Sequence, residues 1–74
     1  MDPVEIILGL AERYERSPES LGRMSTAEVI AVALITENLD LLPGSHKGLM
    51  EALDRLGESW REGLVKAWRI KNEL

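Results

Sequence analysis

Ser25-Thr26-Ala27-Glu28-Val29-Ile30-Ala31-Val32-Ala33-Leu34-Ile35 is the stretch on which the fold of this chain turns. Its last seven residues form an unbroken apolar run, four of them β-branched, and a run apolar throughout suits a buried strand as well as a buried helix. The residues in front of it decide. Ser25 and Glu28 have the S-x-x-E spacing of a capping box, in which the serine oxygen accepts from the backbone N–H three residues on and the glutamate reaches back to the serine N–H. With the cap, the alanines and the continuation to Leu41, the stretch reads as a helix, closed by Leu42-Pro43-Gly44. A helix apolar nearly all round is packed on more than one side, so this segment is expected to be the buried central element.

Upstream, Asp2-Pro3 reads as a helix start, with Asp at the N-cap and Pro at the first helical position, where its missing N–H costs nothing. That helix is expected to run to about Arg16, with Val4, Ile7, Leu8, Ala11 and Tyr14 on one face. Ser17-Pro18 ends it, and residues 18–24 form a connection with room for one helical turn. Downstream, Ser45 is placed to cap a third helix through Leu49, Met50, Leu53 and Leu56, with Glu51 and Arg55 in the favoured i,i+4 order. Continued to Asn72 that helix would be about 40 Å long at 1.5 Å per residue and would overhang the rest. Gly57 supplies a break, and Ser59 to Glu62 has the spacing of a second capping box. The last helix, Trp60 to about Asn72, then sets Trp60, Leu64, Ala67 and Trp68 on one stripe, with Glu62 and Lys66 as another i,i+4 pair. The expectation is an all-α fold: a compact bundle of three to four short helices around a buried central helix, in a single domain over residues 1–74.

The composition agrees. Twelve Leu, five Ile and four Val stand against no Phe and three aromatics, Tyr14, Trp60 and Trp68, which is helix-packing stock. A chain of 74 residues without Cys has neither length nor disulfides to spare for stability, so self-association or a partner is expected. The N-terminus lacks the basic start and cleavage site of a secretory signal, and the longest apolar run is far short of the ~20 residues of a membrane span. A water-soluble, cytoplasmic protein with no membrane attachment is the expectation. Charge is uneven: residues 1–60 hold eleven acids against five bases, residues 61–74 two acids against four bases. An acidic body opposes the phosphate contacts of nucleic-acid binding.

No catalytic, cofactor-binding or metal site is assigned. His46, the single imidazole, follows Ser45 at a helix start, without the oriented acid that a serine nucleophile's base requires. The carboxylates are scattered over helix faces without metal-ligand spacing, and Asp54 and Glu58, one turn apart, read as a mildly repelling exposed pair. The six glycines assemble neither G-x-G-x-x-G nor a phosphate-binding loop. Helices joined through Pro43-Gly44 suggest a helix-turn-helix, yet the second helix would offer Glu51 and Asp54 to the major groove, which argues against a small DNA-binding regulator.

Two surfaces remain. On the C-terminal helix, Arg61, Leu64, Lys66, Trp68 and Arg69 combine a large aromatic with cations, as interface hot spots do. Trp60 is assigned to the core, and Trp68 stands between core and interface. On the body, Glu37, Asp40, Glu51, Asp54 and Glu58 are acids that adjoining helices would present as a negative surface to a basic groove. Over residues 25–60 the segments Ser25-Thr26-Ala27-Glu28 with Ile30-Ala31-Val32-Ala33-Leu34, and Ala52-Leu53-Asp54-Arg55-Leu56-Gly57 with Trp60, resemble short uncharacterised proteins of phages and mobile elements. That resemblance carries no functional residue. It implies a viral or mobile-element setting, in which small acidic proteins serve as inhibitors of host enzymes, anti-CRISPR proteins among them. The expected function is therefore binding to a host or partner protein, inhibiting or modulating it by steric or charge-mimicking contact. The alternative is a homodimeric helical module or a small subunit of a larger assembly, held by the C-terminal helix.

Overall fold

The computed structural model describes residues 2–42 and 48–72. Helix α1, Pro3–Arg16, starts where its cap dictates: the Asp2 carboxylate accepts from the Val4 N–H at 2.9 Å, and Pro3 takes the first helical position. Glu5 in its first turn and Arg13 and Arg16 in its last complement the helix dipole. Its inward face is wider than the expected one, since Leu10 is buried with Ile7 and Ala11 while Val4 and Leu8 pack half-buried at the margin. After Ser17 the chain makes a 3₁₀ helix, Pro18–Arg23, where a connection with a helical turn was expected.

Helix α2, Thr26–Ile35, carries the capping box: Glu28 N–H donates to Ser25 Oγ at 3.2 Å and Ser25 N–H to Glu28 Oε1 at 2.8 Å. It stops well short of the expected Leu41. Thr36 Oγ1 donates back to the Val32 carbonyl at 2.7 Å, and Glu37 turns left-handed at φ 58°. The Glu37 N–H then reaches Leu34 O at 3.1 Å and the Asn38 N–H reaches Ala33 O at 2.9 Å, which together form a Schellman closure. Leu39–Leu41 follow as a 3₁₀ turn, and Leu42 returns to the core.

The expected Ser45 cap lies outside the described residues. Helix α3, Leu49–Leu56, has Gly48 at its N-cap with no side-chain hydrogen bond. The break at Gly57 is present and tighter than expected. This one residue, at φ 84° and ψ 163°, ends α3 and begins α4, Glu58–Lys71. Ser59 is consequently inside α4, so the second capping box does not form, and the first turn closes instead through Arg61 N–H to Gly57 O at 3.0 Å.

The described residues contain helices and no strand. Helix α2 is buried at Ile30, Ala31, Val32, Ala33 and Ile35 and touches α1, α3 and α4, but the broadest contact in the molecule is between α1 and α4. Five of the eleven residues in the core cluster are alanines, Ala11, Ala31, Ala33, Ala52 and Ala67, and the other six are Ile or Leu, with Trp60 and Trp68 packed half-buried against the margin. Among the described residues no helix is long and apolar enough to cross a membrane.

Candidate interaction surfaces

The third helix was expected to run through Leu49, Met50, Leu53 and Leu56. Its contact with the core is made by Ala52 and Leu56, which leaves Leu53 half-buried, Leu49 50% exposed and Met50 75% exposed. With α4 restarting at Glu58, α3 is a little over two turns long, and its inward line runs Ala52–Leu56, four residues apart. Leu39, Val65 and Ile70 are the other large apolar side chains left at the surface among the described residues.

The proposed partner-binding residues of α4 divide. Leu64 is 7% exposed and belongs to the core, on the inward line with Trp60 and Ala67. Lys66 and Arg69 are exposed, and Trp68 is half-buried against the core, as is Trp60. Arg61 is anchored: its Nη1 donates to the Leu53 carbonyl at 2.9 Å, tying α4 to α3 across the Gly57 joint. Lys71, outside that proposed set, reaches Glu15 of α1 at 3.1 Å and fastens the far end of α4. The expected pairs Glu51–Arg55 and Glu62–Lys66 do not close; the ion pairs among the described residues are Lys71–Glu15 and Arg16–Glu12.

All five acids of the proposed negative surface are exposed. Glu37 and Asp40 stand at the corner after α2, Glu51 and Asp54 on the outer face of α3, and Glu58 at the first position of α4. Asp54 differs from the rest, because it shares an open cleft of about 280 Å³ with Met50, Leu53 and Arg61. The structure thus brings together one acid and one cation that the sequence assigned to separate surfaces. Two further open clefts border α1, one lined by Gly9, Glu12, Arg13, Arg16 and Ser17, the other by Leu8, Ala11, Glu12, Glu15 and Lys71.

Little else is chemically prepared. The Glu19 carboxyl is held below its ordinary range, first by a hydrogen bond from the Ser17 side chain and then by its own backbone, a local turn effect at an exposed site. Ser20 Oγ is buried without a hydrogen-bond partner. No group of three or more metal-ligating side chains occurs among the described residues, and Ser45 and His46 lie outside them. Compared with protein-family models, curated proteins and solved structures, the chain matches none.

Proposed function

We propose that this chain works by protein–protein contact, as a small acidic inhibitor or modulator whose negative surface occupies a basic groove on a host or partner protein. One observation carries the reading: Glu37, Asp40, Glu51 and Glu58 are all exposed, and none is joined to a described cation within 4 Å. On a chain of net charge −4, such carboxylates raise the local concentration of a cationic surface and speed docking to it. A phage or mobile-element origin, as the resemblance over residues 25–60 implies, would suit an inhibitor of this kind.

The test is capture of partners on the immobilised chain over a salt series, with and without competing DNA or RNA oligonucleotides. A partner that is released by salt, displaced by oligonucleotide and not retained by Glu37→Lys/Asp40→Lys supports the proposal. Retention indifferent to all three treatments would overturn charge mimicry.

A further inference from the structure

We infer that two copies of this chain pair about a two-fold axis over the α3–α4 cleft, with Arg61 of each copy meeting Asp54 of the other around a shared Met50 contact. The cleft has the self-complementary make-up that a two-fold interface needs, since every group on one side must find its partner in the same set of groups on the other. It holds one exposed apolar anchor, Met50, a half-buried Leu53, one anion and one cation. Asp54 and Arg61 line the same cleft and yet do not come within 4 Å of each other, so the charge of each is unmatched by its neighbour. Turned through 180°, the two charges exchange places and match.

Arg61 is prepared for this. Its Nη1 is held by Leu53 O at 2.9 Å, which fixes the guanidinium plane and leaves further N–H groups to face a carboxylate, so little side-chain entropy is lost when one arrives. Met50, 75% exposed, is the most exposed of the large apolar side chains among the described residues, and a flexible thioether packs well against its own symmetry mate. A standard interface takes about 800 Å² from each partner. That is roughly a sixth of the 4869 Å² surface of this chain, so the contact must extend beyond the cleft. Leu49 on α3 extends it on one side. Trp68, two turns along α4 from Arg61 on the same flank, extends it on the other. A dimer also answers the shortage of core in a chain of this length.

Sedimentation equilibrium of the full chain over a concentration series, with no other protein present, tests the pairing independently of the acidic-surface proposal. The wild type is expected to approach the dimer mass. Asp54→Arg and Arg61→Glu should each raise the dimer dissociation constant by about tenfold or more, through like charges facing across the axis. Mixing the two variants should restore a one-to-one dimer, because each then supplies the charge that the other lacks. Arg61 also ties α4 to α3, so Met50→Glu, at an exposed position, serves as a second disrupting variant with circular dichroism as the check on folding. A wild type that stays monomeric throughout overturns the inference. So does a dimer indifferent to both Met50→Glu and Asp54→Arg, or a failure of the mixture to re-pair while both single variants remain folded.

Discussion

A methyl group placed on Gly63 would stand 2.9 Å from Cβ of Pro3. The first turn of α1 therefore lies directly on the middle of α4, at the place where the broadest contact of the molecule is made. The obstructing atom belongs to a proline ring, which cannot rotate aside. Gly63→Ala is expected to destabilise the fold by about 1 to 3 kcal/mol through overpacking, offset in part by the better helix propensity of alanine. Gly9, also inside a helix, has nothing within 4 Å of a Cβ, so Gly9→Ala should stabilise by about 0.5 to 1 kcal/mol. Urea midpoints moving in opposite directions are the expected result; a rise for both would mean that α1 and α4 are not this close.

Three serines should give three different outcomes on truncation. Ser25→Ala removes a cap whose two hydrogen bonds are formed and should cost about 0.5 to 2 kcal/mol. Ser59→Ala, at an exposed position inside α4, should change stability by less than about 0.5 kcal/mol. Ser20→Ala deletes a buried hydroxyl without a partner and should be neutral, or stabilising by about 1 kcal/mol. Thermal melts of the three variants check the pattern, and a large loss at Ser59 would restore the second capping box.

Among the described residues, Gly57 and Glu37 hold the backbone at positive φ, and they should respond oppositely to substitution. Gly57 has φ 84° and ψ 163°, a region nearly closed to residues with a Cβ, so Gly57→Ala should cost about 1 to 3 kcal/mol and loosen the α3–α4 joint. Glu37 occupies the left-handed position of the α2 closure at φ 58°, where glycine is the usual occupant. Glu37→Gly should therefore leave stability unchanged or raise it by about 1 kcal/mol. If the same variant weakens partner capture, the carboxylate acts in binding and not in the fold.

How far these features could be read from the sequence depended on whether the signal was local. Asp2-Pro3, the Ser25–Glu28 box and Gly57 mark helix ends by their own chemistry, and each stands where the spacing put it. The end of α2 did not announce itself, because Thr36-Glu37-Asn38 contains no glycine or proline and the closure rests on a glutamate in a conformation it seldom adopts. The Ser59 box matched a pattern that one residue of geometry cancels: with Gly57 as the cap, Ser59 is already helical. Spacing ran the third helix through Leu49, Met50, Leu53 and Leu56 without separating its faces, and only the packing shows that Ala52 and Leu56 are its core residues. Arg61 and Asp54 were each noticed, but their meeting in one cleft depends on the angle at Gly57, which no spacing encodes.

The tryptophans are the last point at which the structure redirects an expectation. Sequence position set Trp60 in the core and left Trp68 between core and interface, with Trp68→Ala leaving a folded monomer. Both are half-buried and both pack against the same cluster, Trp60 on the inward line with Leu64 and Ala67, Trp68 one turn beyond Leu64. Because both pack against a close-packed cluster of eleven residues, truncating either indole removes bulk and leaves a cavity that relaxation closes only in part. Trp60→Ala and Trp68→Ala should therefore both destabilise, by about 2 to 4 kcal/mol, a little less than full burial would give. In a domain whose whole stability is only about 5 to 15 kcal/mol, either loss is a substantial part. Urea unfolding followed by far-ultraviolet circular dichroism decides it: an unchanged midpoint for Trp68→Ala would return that residue to the surface, whereas comparable losses for both place the indoles together as the outer wall of the core.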